Sequence, residues 1–266
     1  MRALLAVTAS LLAVAAPALA QTPAPSRIFI ASDSTAADYA PGRYPQMGWG
    51  MMLKCGLAPG VEIVNRARGG RSTRTFIAEG LWDALLKDVR AGDTVLIQFG
   101  HNDASVSRPE RYAPAATAYR DNLLRMIWET RGKGAFPVLV TPPARRSFDG
   151  TRVKADFAEY SQVMRDLVFT TATPMIDLEA RSRDWVGQAG VEGSRKYFLH
   201  YRPADKVAAF PEGIADDTHF SELGARGVAN LVAQELKGLK VPVAEQVLAE
   251  RPDLTRSRPL GSAACR

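Results

Sequence analysis

The chain has 266 residues, of which 46% are hydrophobic and 23% are charged, and its formal net charge is +6. This length suits one large domain or two small ones, and the composition is typical of a globular protein with a sizeable core. The excess of basic residues fits an anionic partner such as an acidic polysaccharide, or it serves only solubility. Nucleic acid is disfavoured as a partner because the basic residues form no long run. Two cysteines without a C-x-x-C pair, and only three histidines, argue against a structural zinc site.

The first twenty residues have the features of a signal peptide. A positive charge at Arg2 precedes the apolar run Ala3–Ala16, and Ala18-Leu19-Ala20 fits the small-x-small rule for cleavage. The apolar run is too short to span a bilayer, and no later segment is long and apolar enough. The sequence therefore predicts cleavage near Ala20, a secreted or periplasmic protein, and no membrane partner.

Apolar runs rich in β-branched residues predict strands at five places along the chain. They are Arg27–Ala31, Val61–Asn65, Asp93–Phe99, Phe136–Thr141 and Pro174–Leu178. Several of them are apolar without alternation, as in Val95–Ile97 and Val138–Val140. Continuous apolar runs of this length are typical of strands covered on both faces, so the pattern predicts a parallel sheet.

Amphipathic segments lie between the predicted strands and predict helices. They are Gly48–Leu57, Thr75–Val89, Ala115–Arg131, Phe157–Thr171 and Ser221–Leu236. Alternation of strand and helix implies right-handed βαβ units and an α/β fold of three layers, α/β/α. No internal repeat or low-complexity linker divides the chain, so we expect one domain over residues 21–266, with a C-terminal tail from about residue 241 that wraps the surface. The longer irregular stretches, Ser105–Pro114 and Val191–Ile214, are expected to be functional loops.

Four polar segments stand where an open α/β sheet binds its ligands, just outside the carboxyl ends of the strands. Three of them follow the first three predicted strands, and the fourth directly precedes the last helix. They are Asp33–Thr35, Asn65–Ser72, Gly100–Asp103 and Asp216–His219.

Together these segments contain every group that acyl transfer by a serine requires. A serine nucleophile needs a base, the base needs a carboxylate to orient it, and the oxyanion needs preorganised N–H donors. Ser34 is the predicted nucleophile, His219 the base and Asp216 the orienting acid. The predicted oxyanion donors are the backbone N–H groups of Ser34 and Gly70 and the side-chain amide of Asn102.

The spacing of the acid and the base favours Asp216 over Asp217. Asp216 and His219 are three residues apart on what the sequence predicts to be a loop entering a helix, so one local segment presents both side chains. Asp217, two residues from His219, has to fold back to reach the ring and ranks second.

Each of these residues also has a simpler interpretation when it is taken alone. Ser34 fits a helix cap, His219 a solvated residue at a helix start, Gly70 a turn glycine and Asn102 an Asx turn. Their joint occurrence at strand ends favours the catalytic interpretation.

Other chemistries are less well supported by the motifs. The nucleophile elbow G-x-S-x-G is absent, and the dinucleotide-like start at Gly48-Trp49-Gly50 has Leu53 in place of the third glycine. A metal site built from His101, Asp103, Asp216 and His219 lacks a known ligand spacing. We therefore expect no metal and no cofactor.

The four segments resemble the four sequence blocks of the SGNH, or GDSL, hydrolase superfamily, with Ser34, Gly70, Asn102 and His219 at the block positions. Within that superfamily the chain resembles the rhamnogalacturonan acetylesterase family of carbohydrate esterases. That closer likeness rests on Asp33–Thr35, Gly70–Arg74 and Phe99–Asp103, with support from Gly48–Gly50. The resemblance extends from about Ile28 to the last helix.

The resemblance implies a flavodoxin-like three-layer sandwich with a five-stranded parallel sheet. It also implies metal-independent removal of acetyl groups from pectic or related plant cell-wall polysaccharide, with the residue roles given above. The chain departs from the family at Ser32, where the relatives usually have glycine. The resemblance does not decide the oligomeric state or whether Cys55 and Cys265 form a disulfide.

Side chains near these blocks suggest how a polysaccharide is held. Arg68, Arg71 and Arg74 are candidates for bidentate contacts with galacturonate carboxylates, and surface or inter-loop salt bridges are the alternative. Trp49 and Tyr39 are candidates for stacking on sugar rings, although core packing suits both better.

The sequence thus predicts an exported serine esterase that deacetylates a rhamnogalacturonan-like polysaccharide through an acetyl-enzyme. Acetylxylan or another O-acetylated carbohydrate is the alternative substrate. A catalytically silent carbohydrate-binding domain on the same fold is the alternative from another class, and an esterase acting on a lipid or thioester is a third.

Overall fold

The computed structural model describes residues 26–266, so the expected signal peptide and its cleavage site lie outside the described residues. Five strands form a parallel central sheet in the order β2-β1-β3-β4-β7. Their bounds are β1 Arg27–Ala31, β2 Glu62–Asn65, β3 Thr94–Gln98, β4 Phe136–Val140 and β7 Met175–Ile176. This is the doubly wound, flavodoxin-like order, and it confirms the predicted fold class and all five predicted strands.

The strands bury both of their faces, which is why their sequences are apolar without alternation. Alternate residues of β1 enter different cores, with Ile28 and Ile30 in one cluster and Phe29 and Ala31 in the other. All five residues of β3 are buried. Helices therefore cover the sheet on both sides, as a parallel sheet requires.

The helices divide between the two faces of the sheet. Their bounds are α1 Trp49–Leu53, α2 Thr73–Ala78, α3 Leu81–Asp88, α4 Arg120–Gly132, α5 Ala158–Thr171, α6 Leu178–Gly193 and α7 Glu222–Lys237. Buried residues of α1, α6 and α7 share the core of Ile28 and Ile30, whereas those of α2 to α5 share the core of Phe29 and Ala31. The result is the predicted three-layer α/β/α arrangement.

Two predicted segments differ in the structure. The helix predicted over Thr75–Val89 is two helices, because Gly80 takes a left-handed conformation with φ of 71° and ends the first of them. The stretch predicted to be irregular over Val191–Ile214 contains the end of α6 and the strand β8, Phe198–Tyr201. β8 pairs antiparallel with β9, Ile214–Phe220, and a second small hairpin joins β5, Phe148–Asp149, to β6, Arg152–Val153.

The C-terminal tail is fixed to the body of the protein by a disulfide and by a buried arginine. Cys55 and Cys265 are bonded across 210 residues of sequence. Arg226 of α7 is fully buried and donates to the backbone oxygens of Asp253, Ser262 and Ala264. The tail thereby closes over the face of the sheet that carries α1 and α7.

We expect removal of the disulfide to destabilise the protein without changing its fold. Cys55→Ser, Cys265→Ser and the double variant should each lower the free energy of unfolding by about 2–5 kcal/mol, because the bond restricts a long loop of the unfolded chain. Urea unfolding of the three variants measures this. The double variant should lose no more than either single variant, and additive losses would contradict the pairing as the source of the stability.

Candidate active site

The turn after β1 presents Ser34 between two buried neighbours. Asp33 and Thr35 are buried, and Asp33 Oδ1 accepts hydrogen bonds from Thr35 N at 2.9 Å and Thr35 Oγ1 at 2.7 Å. The next helical segments are a short 3-10 turn at Pro41–Arg43 and α1 from Trp49, so Ser34 does not cap a helix. The hydroxyl of Tyr39 donates to the backbone oxygen of Ser34 at 2.9 Å and holds the turn from outside.

A glutamine at the end of β3 supports the same turn from inside the protein. Gln98 Oε1 accepts from Ser32 Oγ at 2.9 Å and from Trp49 Nε1 at 3.0 Å. Ser32 therefore fills the usual glycine position with a side chain that is buried and hydrogen-bonded. Trp49 is fully buried, so it packs in the core and does not stack on a sugar.

The predicted nucleophile, base and acid form a continuous hydrogen-bonded chain. His219 Nε2 lies 2.9 Å from Ser34 Oγ, and His219 Nδ1 lies 2.7 Å from Asp216 Oδ2. Ser34 and His219 are 185 residues apart in sequence. The geometry is that of a serine activated by a histidine whose far nitrogen is held by a carboxylate.

Asp216 and His219 lie on strand β9, and not on the loop that the sequence predicts. Leu199 of β8 pairs with Asp216 and the adjacent Phe198 pairs with Phe220, so residues 217–219 form a bulge that has no partner on β8. The bulge breaks the alternation of a regular strand and turns the two side chains toward each other. The backbone N–H groups of Thr218 and His219 both donate to Asp216 Oδ1, at 2.7 and 3.0 Å.

These contacts keep the carboxyl of Asp216 ionised. Partial burial alone raises its pKa, but the hydrogen bonds from the His219 ring and from the two backbone N–H groups outweigh burial and lower the pKa to about 2. Asp217 is engaged elsewhere, because its Oδ1 contacts Arg146 Nη1 at 2.9 Å and His200 Nε2 at 2.7 Å. The geometry thus favours Asp216 over Asp217 as the orienting acid.

Two of the predicted oxyanion donors belong to a loop that approaches Ser34 at Gly69 and to Asn102, which is hydrogen-bonded to that loop. Gly70 has φ of 78°, a left-handed conformation that favours glycine, and a side-chain carbon at neighbouring Gly69 would lie 3.7 Å from Cβ of Ser34. Within residues 26–266, no hydrogen bond uses the backbone N–H of Ser34 or Gly70. The amide of Asn102 donates to the backbone oxygen of Arg71 at 3.0 Å, which fixes its orientation and leaves its second N–H available.

Replacement of the Asn102 amide tests its role as a donor. Asn102→Ala should lower kcat about 10²- to 10³-fold with little change in KM, because the hydrogen bond to a developing oxyanion forms fully only in the transition state. Steady-state kinetics with a chromogenic acetate ester measure this effect. A rise in KM with unchanged kcat would contradict the assignment.

Three ionisable groups are buried behind the turn and are incompletely hydrogen-bonded within the described chain. Asp33 Oδ2, His101 Nδ1 and Asp103 Oδ2 have no hydrogen-bond partner, although Asp33 Oδ2 and His101 Nδ1 are only 3.7 Å apart. Burial raises the pKa of Asp33. Burial lowers the pKa of His101 well below its usual range, and the electrostatic effects of Arg145 and His219 lower it further. His101 is therefore held neutral beside the triad.

The buried acid Asp103 makes stability depend on pH. Burial raises its pKa to about 7 against the opposing hydrogen bonds from Thr73. The folded protein keeps this proton above the pH at which the unfolded chain loses it, so the stabilisation is complete below about pH 4 and is lost as the pH rises through about 7. Asp33 acts in the same direction.

We therefore expect Asp103→Asn to flatten the pH dependence of unfolding. Between about pH 4 and pH 7 the wild type should lose stability on the order of a few kcal/mol relative to the variant. Urea unfolding at several pH values measures the difference, with the exposed Asp121→Asn as control. Parallel stability curves for wild type and Asp103→Asn would contradict it.

The three arginines predicted to bind substrate lie in different surroundings. Arg71 contacts Glu79, at the end of α2, at 2.9 Å and also donates to the backbone oxygen of Gly69 in its own loop, so it is already paired. Arg68 and Arg74 are exposed, and no ion pair with another described residue involves either of them. A role for any of the three in substrate binding stays a prediction.

A polar cleft of about 970 Å³ adjoins the triad and contains residues that the sequence reasoning missed. Arg145, Arg146 and Lys154 line it together with His101 and Thr218, the sequence neighbours of Asn102 and His219. Arg145 and Arg146 follow the carboxyl end of β4. The sequence contained a signal for them, because polar residues just after a strand of an open α/β sheet are candidates for ligand binding, and this rule located the other segments.

Over residues 26–266, no group of three or more His, Cys, Asp and Glu side chains is arranged to hold a metal ion. In the same range, no helix has the length and apolar character needed to cross a membrane.

Comparisons with known proteins agree with the fold and the motifs. A sequence model of the GDSL-like lipase/acylhydrolase family matches residues 33–226. The probable rhamnogalacturonan acetylesterase YesY of Bacillus subtilis is 36% identical over 85% of this chain and 99% of its own length. The rhamnogalacturonan acetylesterase RhgT of the same organism is 37% identical over 85% of this chain and 95% of its own length.

A solved structure also resembles the chain. The crystal structure of the YxiM protein of Bacillus subtilis superposes with a TM-score of 0.69 at 26% identity. The superposition covers 85% of this chain and 60% of that one.

Proposed function

Because the chain belongs to the GDSL-like lipase/acylhydrolase family and is a carboxylic ester hydrolase, we propose that it removes O-acetyl groups from a rhamnogalacturonan-like polysaccharide. The observation that carries the chemistry is the chain of contacts from Ser34 through His219 to Asp216. The names of the two relatives that are 36% and 37% identical support the substrate class.

In the proposed reaction, His219 Nε2 takes the proton of the Ser34 hydroxyl while Ser34 Oγ bonds to the acetyl carbonyl carbon. The negative charge then forms on the carbonyl oxygen, where the N–H groups of Ser34, Gly70 and Asn102 stabilise it. Collapse of this intermediate breaks the bond to the sugar oxygen, which takes the proton from His219. The products of this half-reaction are the deacetylated sugar and an acetyl group on Ser34.

In the second half-reaction, water removes the acetyl group from Ser34, and His219 again acts as the base. His219 takes a proton from water while the water oxygen bonds to the acetyl carbon, and His219 then returns that proton to Ser34 Oγ as the bond to Ser34 breaks. Acetic acid leaves and loses its remaining proton to solvent as acetate. Asp216 remains ionised throughout, since its pKa is about 2, and it stabilises the imidazolium that forms twice in each turnover. We expect ping-pong kinetics from this scheme.

The character of the cleft supports a polar and anionic substrate. Three basic side chains, those of Arg145, Arg146 and Lys154, border it against two acidic ones, Asp156 and Asp217, and Ser105, Ser107, Ser147 and Thr218 add polar groups. A long lipid acyl chain requires an apolar channel in which to bury its methylenes. A pectic polysaccharide therefore suits this cleft better than a lipid.

We also propose that the protein is exported, with residues 1–20 as its signal peptide. The Cys55–Cys265 disulfide supports this, because such bonds persist in oxidising compartments and are rare in the cytosol. Determination of the N-terminal residue of the protein recovered outside the cytoplasm tests the proposal. A chain that remains cytoplasmic and keeps Arg2 would contradict it.

Release of acetate from different polysaccharides tests the substrate. Acetylated rhamnogalacturonan, acetylated homogalacturonan and acetylated xylan are assayed side by side at equal acetyl concentration. The proposal predicts the highest kcat/KM on rhamnogalacturonan. A clear preference for xylan would replace it with the acetylxylan alternative.

A further inference from the structure

Two arginines beside the triad lack the carboxylate partners that their neighbours have. Among residues 26–266, no ion pair involves Arg111 or Arg145, although both are half-buried, and the Nε atoms of both are buried without an acceptor. Arg146, next to Arg145 in sequence, is by contrast engaged by Asp217 and by the backbone oxygen of Val191. Because a half-buried guanidinium loses hydration, it normally has an anionic partner in the folded protein.

Arg145 lies on the histidine side of the active site. It lines the cleft with His101 and Thr218, and its Cζ lies 5.1 Å from the centre of the Phe157 ring. Stacking on the ring holds the guanidinium plane, while no residue of the described chain accepts a hydrogen bond from it. The side chain is thus oriented in the cleft before any ligand binds.

The acidic side chains of the cleft do not neutralise Arg145. Asp217 contacts Arg146 and His200, and Asp156 accepts a hydrogen bond from Ser147 at 3.3 Å. The charge of Arg145 also acts on the buried carboxyl of Asp33, but among the described residues no carboxylate forms an ion pair with Arg145, so its guanidinium is available to a ligand.

Arg111 lies beside the oxyanion glycine and contacts the cleft through Ser105. Its Nη1 would be 3.9 Å from a side-chain carbon at Gly70, and its Nη2 donates to Ser105 Oγ at 3.3 Å. Ser105 itself lines the cleft with Arg145. Arg145 therefore lines the cleft near the histidine, and Arg111 is joined to the cleft by Ser105 on the side of the oxyanion glycine.

We propose that Arg111 and Arg145 form a carboxylate-binding subsite that holds the uronate groups of the polysaccharide next to the acetylated sugar. The planar fork of a guanidinium matches a carboxylate with two parallel hydrogen bonds, so it distinguishes an acidic sugar from a neutral one. This inference rests on the proposed function for the identity of the substrate. It assigns the recognition of acid groups to these two arginines in place of Arg71, which is already paired with Glu79.

Kinetics on matched acidic and neutral esters test the subsite. Arg145→Gln and Arg111→Gln should each lower kcat/KM for acetylated oligogalacturonate about 10- to 100-fold more than kcat/KM for acetylated xylo-oligosaccharide. The loss should appear mainly in KM. Arg145→Lys, which keeps the charge but not the fork, should show an intermediate loss.

A charge-matched control separates the effect of losing the subsite from the effect of losing one positive charge. Arg90→Gln removes an exposed positive charge just before β3, at the amino ends of the strands and away from the active site. It should leave kcat/KM for both substrates unchanged. Thermal unfolding of each variant shows whether it remains folded. Equal losses on the acidic and neutral substrates would overturn the proposal.

Inhibition by non-acetylated oligogalacturonate measures carboxylate binding directly, so this test does not depend on which polysaccharide the enzyme deacetylates. The oligomer should compete with a chromogenic acetate ester on the wild-type enzyme, and its inhibition constant should rise about tenfold or more in Arg145→Gln. If acidic polysaccharides release no acetate but this pattern holds, the substrate assignment fails and the subsite stands. Absence of inhibition of the wild type would overturn the subsite even if acetate is released.

Discussion

Ser34→Ala should lower kcat by about 10⁴- to 10⁶-fold, the range expected when the nucleophile of a serine triad is removed. His219 Nε2 lies 2.9 Å from Ser34 Oγ, and alanine leaves it no hydroxyl from which to take the proton. KM should change little, because the hydroxyl makes one small contact with the bound ester. Steady-state kinetics and acetate release from the polysaccharide measure both constants.

The neighbouring serine provides the control for this variant. Ser32→Gly introduces the residue that the family resemblance implies at this position and removes the buried hydroxyl that donates to Gln98. It should keep kcat within about tenfold, since the bond supports the turn and contacts no reacting atom. Full esterase activity in Ser34→Ala would contradict the assignment of the nucleophile.

Asp216→Asn should lower kcat about 10⁴-fold, whereas Asp217→Asn should have a far smaller effect. The asparagine side chain presents an N–H or a neutral oxygen to His219 Nδ1, so it fails to hold the correct tautomer and to stabilise the imidazolium. Asp217 contacts Arg146 and His200 on the other side of the bulge, and its side chain is 49% exposed.

The pair of variants is matched in chemistry and position, so the comparison removes general effects of charge. Both replace one carboxylate of strand β9 by an amide of the same size. Kinetics above pH 5 suit the comparison, because Asp216 with a pKa of about 2 is fully ionised there. A larger loss in Asp217→Asn than in Asp216→Asn would exchange the two assignments.

The sheet could be predicted from the sequence because its strands are buried on both faces. A run such as Val95–Ile97 has no polar residue to serve an exposed face, and each predicted strand agrees with the structure to within two residues at either end. The helices that were predicted incorrectly lack clear local signals in the sequence. α6 contains Gly187 and Gly190 within a largely polar sequence, so its helical pattern is weak, and the break at Gly80 depends on a positive φ that the sequence does not specify.

The residues of the site were predictable by type, but their relative placement was not. Serine, histidine and aspartate at strand ends point to acyl transfer, whereas the bulge that joins Asp216 to His219 depends on pairing between β8 and β9. The arginines illustrate the same limit. Arg71 has Glu79 eight residues away, just after the end of α2, while the availability of Arg145 depends on which distant carboxylates are already engaged.

The central claim is that Ser34 carries the acetyl group during turnover, and rapid quenching with peptide mapping tests it most directly. The wild-type enzyme is mixed with excess chromogenic acetate ester, quenched within the first turnover, digested and analysed by mass spectrometry. The account predicts a burst of up to one chromophore per protein molecule and one acetyl group on the peptide that contains Ser34, both absent in Ser34→Ala. A burst with the acetyl group on another residue, or one that persists in Ser34→Ala, would contradict it.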